Sequence, residues 1–293
     1  MKIGYYPGCS LSGTGREYEK SLKKILKDFS VELEEINDWV CCGATSGHVL
    51  NHRLALSLSA QNLMQASKQG LKEILAPCAA CYNRLVVTRN ELLSKPELRK
   101  EIEGIIGEEI KDMPVILNIV ELFDKVGVDV ISALKKVDMS PYNAACYYGC
   151  LLVRPASITK FDDAEQPTSM ENLLQKFGIK SVDWNYKVEC CGGSHSIARK
   201  DIVVDLGEKI IRDAEHSKAN VMVVACPMCH SNLDMRQLNM KRKYKDHKDF
   251  PVLYITELIG LALGYTPREL GIDLHFIEFK GLKAAKEKEV QTA

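Results

Sequence analysis

The chain has no apolar run of the roughly 20 residues that a membrane helix needs. Its longest, Ile255–Leu263, is broken by Glu257 and Gly260. It has no excess of one charge either, since 39 Lys and Arg meet 39 Asp and Glu for a formal net charge of zero. That excludes non-specific nucleic-acid binding, which needs a strongly basic face. No apolar leader or cleavage site precedes Met1-Lys2-Ile3-Gly4-Tyr5-Tyr6, which reads directly as a strand. There is no CxxCxxCxxxC run, and no complete GxGxxG: Gly13-Thr14-Gly15 begins one, but Tyr18 stands at the third glycine. Neither a ferredoxin-type segment nor a nucleotide-binding loop is therefore expected. What remains is 293 residues, 46% hydrophobic and 27% charged, an ordinary composition for a cytoplasmic protein of two domains.

Cysteine is the exception. Eleven occur, at 9, 41, 42, 78, 81, 146, 150, 190, 191, 226 and 229. They are too few for a disulfide framework, and in a reducing compartment clustered cysteines point to metal binding or redox chemistry. Their order repeats. Gly8-Cys9, Cys41-Cys42-Gly43 and Cys78-Ala79-Ala80-Cys81 are followed by Gly149-Cys150, Cys190-Cys191-Gly192 and Cys226-Pro227-Met228-Cys229. Between the lone cysteine and the pair lie 31 and 39 residues, and between the pair and the CxxC lie 35 and 34. Flanks repeat as well, with Tyr5-Tyr6-Pro7 resembling Tyr147-Tyr148 and Pro114 to Leu122 matching Pro251 to Leu258. The chain reads as a duplicated unit, residues 1–140 and 141–293.

Short apolar runs at Lys2–Tyr6, Glu73–Ala76, Asn143–Tyr148 and Ala219–Ala225 stop at cysteine motifs, as buried strands do. Glu17–Phe29, Arg53–Gln69 and Asp201–Glu215 carry helical apolar spacing. Alternating strands and helices predict an α/β fold in which each half is a small, mostly parallel sheet with flanking helices. The loops leaving the carboxyl ends of such strands form the site, and Cys9, Cys78, Cys150 and Cys226 fall there. Leu92–Lys111 is expected to be a solvated helix or hairpin, Asn239–Asp249 an exposed connection, and Lys283–Ala293 a tail that frays or docks on a partner.

A CxxC at a helix start brings two thiols to one centre, where peptide N–H groups favour thiolate. Adjacent cysteines, with Cα atoms about 3.8 Å apart, chelate one tetrahedral ion poorly and suit two neighbouring metals. Gly43 and Gly192 follow each pair, where a positive φ or a close approach is expected. Zinc on four cysteines per half, a thioredoxin-like CxxC and inert buried thiols are the alternatives, and each leaves part of the quintet unused. Cys146 has Tyr5 as its counterpart and is expected to be a buried structural thiol, with exchange of Cys146 for Cys150 as a ligand left open.

The repeated Cys…CysCysGly…CysxxCys pattern over residues 1–265 resembles the CCG-domain iron–sulfur family of heterodisulfide reductase B subunits. The resemblance implies two tandem homologous CCG domains related by pseudo-two-fold duplication. Each would hold a non-cubane 4Fe–4S cluster on five cysteines: Cys9, Cys41, Cys42, Cys78 and Cys81 in one, Cys150, Cys190, Cys191, Cys226 and Cys229 in the other. It implies an oxidoreductase that reduces the coenzyme M–coenzyme B mixed disulfide of methanogenesis. Reducing a disulfide takes two electrons and yields two thiolates, and a duplicated ligand set matches one such centre to each sulfur.

Expected partners are a ferredoxin-like iron–sulfur subunit and a flavin-containing bifurcating subunit, with a hydrogenase or formate dehydrogenase beyond them. A sulfonate and a phosphate on the substrate make Arg84, Arg154 and Arg199 candidate contacts, with His48 and Arg53 as further motif-adjacent groups. His195 and His230 are candidate proton donors. The other function class is an electron-transfer CCG protein of a lactate or glycolate oxidation system or of a fumarate-type reductase. A zinc-held scaffold is the third.

Overall fold

The computed structural model describes residues 1–279; the tail 283–293 lies outside them. Strands β1 (Lys2–Tyr5), β2 (Glu32–Glu35), β3 (Glu73–Leu75) and β4 (Val115–Leu117) form one parallel sheet in the order β2-β1-β3-β4. Strands β5 (Asn143–Tyr147), β6 (Lys180–Ser181), β7 (Val221–Val224) and β8 (Val252–Tyr254) form a second parallel sheet in the same order, β6-β5-β7-β8. Register repeats as well: Tyr5 pairs with Leu75 in the first sheet, and its counterpart Cys146 with Val223 in the second.

Parallel pairing requires crossover segments, and here they contain helices. The main ones are α1 (Arg16–Asp28), α2 (His52–Lys68), α3 (Ala79–Ser94), α4 (Pro96–Ile106), α5 (Ile119–Val126), α6 (Ser169–Lys176), α7 (Lys200–His216), α8 (Pro227–Leu233) and α9 (Ile255–Ala262). In α1 the apolar spacing buries Tyr18, Leu22, Ile25 and Leu26 on one face. The carboxylates of Glu17 and Glu19 lie in its first turn, where the helix dipole favours them.

The halves pack reciprocally. Helix α1 of the first lies on α9 of the second, and α6 of the second lies on α5 of the first. At the first contact the rings of Tyr18 and Tyr254 stack at 4.2 Å and 5°, and the Ser21 and Thr256 hydroxyls share a 2.7 Å hydrogen bond. Helix α3 meets the short helix Cys150–Val153, and α8 meets its counterpart Gly8–Ser12. These paired contacts relate the halves by an approximate two-fold axis, and one apolar core runs through both sheets.

One stretch differs from expectation. Gln237–Lys243 is helical where the sequence reads as an exposed connection, because Gln237 and Met240 point inward beneath its basic face. Residues 96–106 form the largely exposed helix expected there, with Ile102 joining Leu56, Met64 and Leu92 in a small separate core.

Candidate functional site

In each half three segments carry the cysteines to the carboxyl edge of the sheet. After β1 the chain turns at Gly8 into the helix Gly8–Ser12, which carries Cys9; after β5 it turns at Gly149 into Cys150–Val153. After β3 and β7, Cys78 and Cys226 take the N-cap positions of α3 and α8, with Cys81 and Cys229 in the first turns. The free N–H groups of those turns favour negative sulfur. The vicinal pairs lie in the loops after β2 and β6, and the glycine after each has positive φ, 70° at Gly43 and 79° at Gly192.

The thiols converge. Cys9 and Cys41 sulfurs are 3.8 Å apart, Cys42 and Cys81 3.4 Å, and Cys191 and Cys229 3.6 Å. These separations far exceed the ~2.05 Å of a disulfide, and every thiol is free. The thiols of Cys41 and Cys42, Cys78 and Cys81, Cys150 and Cys190, and Cys226 and Cys229 also lie near enough to shift one another's pKa. Cys78 and Cys226 lie near enough to shift one another's pKa, so the two sets approach each other where the halves meet. Cys146 stands apart in the middle of β5, paired with Val223 and fully buried, and its carbonyl accepts from the Trp184 indole at 3.2 Å. Burial pushes its thiol well up.

Each set holds sulfur ready to ionise. The neighbouring thiols of Cys41 and Cys81, then the Ala44 amide and Arg84, bring Cys42 down to about 4. The neighbouring Cys150 thiol, then the Gly192 and Gly193 amides and His195, bring Cys190 down to about 5. Cys226 is lowered by Cys229 and Cys78, and the donating thiols are raised in exchange.

A cavity of about 200 Å³ opens against the second set, lined by Cys150, Cys190, Cys191, Cys226 and Cys229. The first half supplies its other wall: Ala44, His48, Ala79, Ala80 and Arg84. Arg84 contacts Nδ1 of His48 at 3.1 Å and donates to Asn83 Oδ1 at 2.8 Å. Asn83, fully buried, donates across the interface to the carbonyls of Leu151 at 3.0 Å and Arg154 at 2.6 Å.

Of the other candidates, His195 is exposed in the turn after the second vicinal pair. Arg154 and Arg199 do not reach the cavity; their guanidinium groups are held at the surface by Glu165 at 2.9 Å and Asp201 at 2.7 Å. Arg53 is likewise paired with Glu101. His230 is sealed under Tyr254 and His275 on the far side of α8, and burial lowers its pKa well below the ordinary value. Sequence reasoning misses Asn83 and Met228, although Met228 lies within a CxxC loop whose inner residues face the cavity.

The donor chemistry fits an iron–sulfur group. The ligands on offer are all soft thiols, several poised as thiolates, while the inner wall is apolar (Ala79, Ala80, Leu151 and Met228). Among the described residues no helix is long and apolar enough to cross a membrane.

Comparison with known proteins agrees with this geometry. The chain is 28% identical over 94% of its length, and 97% of the relative's, to the 8-methylmenaquinol:fumarate reductase membrane anchor subunit of Wolinella succinogenes. It is 27% identical to the B subunit of the ferredoxin/F420H2-dependent CoB–CoM heterodisulfide reductase of Methanosarcina acetivorans, over 94% of each chain. Among solved structures, a hypothetical protein from Helicobacter pylori superposes with a TM-score of 0.75 at 13% identity; 95% of this chain is covered, against 52% of that one. The model of the CCG cysteine-rich domain family matches residues 3–86 and again 144–234. With more than half of its length so matched, and the two matches carrying the two cysteine sets, the chain belongs to the CCG cysteine-rich domain family.

Proposed function

We propose that the chain is the disulfide-reducing component of a cytoplasmic multi-subunit reductase, and that its substrate is the coenzyme M–coenzyme B heterodisulfide. Units 1–140 and 141–293 would each hold one non-cubane 4Fe–4S cluster. Cys9, Cys41, Cys42, Cys78 and Cys81 would ligate the first, and Cys150, Cys190, Cys191, Cys226 and Cys229 the second. Bound there, such groups supply electrons one at a time; overall, one disulfide takes up two electrons and two protons and leaves as two thiols. The observation that carries this reading is a cavity with the five cysteines of the second set on one wall and, on the wall that the first half supplies, a half-buried arginine.

The side chains have separable roles. Arg84, backed by His48 and fixed by Asn83, binds an anionic arm of the substrate in a cavity whose apolar wall keeps water away. His195, exposed beside Cys190, supplies a proton to a departing thiolate. Electrons arrive through a ferredoxin-like subunit and a flavin-containing one. Purified without oxygen, the chain should contain iron and acid-labile sulfide at about four each per cysteine set. Cys42→Ala and Cys191→Ala should each abolish reduction of the heterodisulfide by an artificial one-electron donor. Full activity in both variants, or zinc in place of iron and sulfide, would end the proposal.

The fumarate reductase relative favours a second reading, in which the chain passes electrons between a quinol and a partner. Reduction by a quinol analogue, with no turnover of any disulfide, would select it.

A further inference from the structure

On the far side of α8 from the cavity, three side chains that the cysteine chemistry does not use come together. His230 lies on α8, Asp234 follows its end, and His275 comes from the segment after the turn Ile272–Leu274. One ligand atom of each lies within 4.8 Å of the others. All three are sealed from solvent: His230 is 4% and Asp234 1% exposed, and the His275 side chain 1%.

Their hydrogen bonds define what is left over. His230 Nε2 meets the carbonyl of Val252 at 3.1 Å, and a carbonyl can only accept, so the proton sits on Nε2 and Nδ1 carries a lone pair. His275 Nε2 meets the Glu257 carboxylate at 3.0 Å, while its buried Nδ1 has no partner. Asp234 accepts from the amides of Phe276 at 2.8 Å and Ile277 at 3.1 Å, which fixes its carboxylate toward the two rings. A buried nitrogen without a partner is costly. In addition, a histidine held from behind by a carbonyl or carboxylate is the arrangement that orients metal-bound imidazole. The group borders a cavity of about 330 Å³ shared with Gly15 and Glu17.

We propose that His230, Asp234 and His275 form a divalent-metal site, taking Zn²⁺ through Nδ1 of each imidazole and a carboxylate oxygen, with a water from the cavity as fourth ligand. Two imidazoles and a carboxylate suit zinc, whose ~2.0–2.1 Å bonds would draw the donors in from their present spacing. The ion would fasten the 272–277 segment to the helix that carries Cys229, and so brace one cysteine set from behind. Its ligands are nitrogen and oxygen, which separates it from any ion held by thiols.

The test is metal analysis with Zn K-edge absorption on the full chain, purified without oxygen from zinc-supplemented cells and passed over a chelating resin. The expected result is about one zinc per chain with only nitrogen and oxygen neighbours. His275→Ala and Asp234→Asn should each lose it while keeping their iron. Absence of zinc from the wild-type protein, or a shell containing sulfur, would overturn the proposal without needing any variant, as would zinc retained in both variants. Iron and sulfide measured on the same samples report on the cysteine sets independently, so failure there would leave this result readable.

Discussion

A β-carbon on Gly149 would stand 3.1 Å from the sulfur of Cys229 and 3.4 Å from the Tyr147 ring. The backbone there has φ 64° and ψ 176°, a region that is essentially glycine's alone. Gly8 repeats the relationship, 3.0 Å from Cys81 and 3.3 Å from Tyr6. A methyl group at either place must displace a thiol from its set. Gly149→Ala is expected to cost about half of the iron per chain, since only the second set is touched. Gly104→Ala is the control: nothing lies within 4 Å of its added carbon, so it should keep all its iron and gain up to ~1 kcal/mol of helix stability. Equal iron in the two variants would remove the argument.

The tyrosines beside those glycines hold the vicinal pairs. The Tyr147 hydroxyl donates to the carbonyl of Glu189 at 2.5 Å, and Tyr6 donates to Val40 at 2.7 Å, each carbonyl belonging to the residue just before a cysteine pair. The Val40 carbonyl has a second donor, the Asn62 amide at 3.0 Å. Tyr147→Phe should therefore lower stability by about 1–1.5 kcal/mol and Tyr6→Phe by about 0.5 kcal/mol, the usual range for one hydrogen bond. Thermal melting of the iron-loaded protein should rank them in that order, and the reverse order would count against this assignment of the carbonyls.

The duplication, the strand ends at the cysteine motifs and the main helices were legible because each left a local mark: an apolar run, a 3.6-residue spacing or a repeated cysteine. Strands β2 and β6 left none. Glu32-Leu33-Glu34-Glu35 has one apolar residue and lies at a sheet edge, and β6 is two exposed residues; both are set by pairing with β1 and β5. Within the site, motif proximity did not distinguish Arg84 from Arg154 and Arg199, because salt-bridge partners are decided by tertiary packing. His230 follows Cys229 directly, yet its ring lies behind the helix, since neighbours one apart on a helix do not share a face. The approach of Cys78 to Cys226 depends on how the halves pack and had no sequence signal.

Asn83 ties the first half's CxxC helix to the second half. Its amide supplies hydrogen bonds to two carbonyls of the 151–154 turn and its oxygen steadies Arg84, all with the side chain fully buried. Asn83→Ala leaves those carbonyls without that donor and should destabilise the chain by about 2–3 kcal/mol. Asn90→Ala, on the exposed part of the same helix, should change stability by no more than about 0.5 kcal/mol. A melting temperature for Asn83→Ala equal to that of Asn90→Ala would mean that the interface is held elsewhere.

Of the three arginines that the sequence offers as substrate contacts, Arg84 is the one that lines the cavity. It is half-buried, which lowers its pKa; it contacts His48 and Asn83, and the Cys42 sulfur and the Glu91 carboxylate act on it from nearby. Arg154 and Arg199 are each matched by a carboxylate on the surface. If the substrate carries an anionic arm, Arg84→Ala removes a charged hydrogen bond worth roughly 1.5–3 kcal/mol. That converts to a rise of about ten- to a hundredfold in KM at ~1.4 kcal/mol per decade. The same change should be much smaller for a disulfide that lacks the anionic group, and kcat should move less than KM. Arg154→Ala and Arg199→Ala should leave both constants unchanged. A KM that rises equally for charged and uncharged disulfides would show that Arg84 shapes the cavity and does not bind the anion.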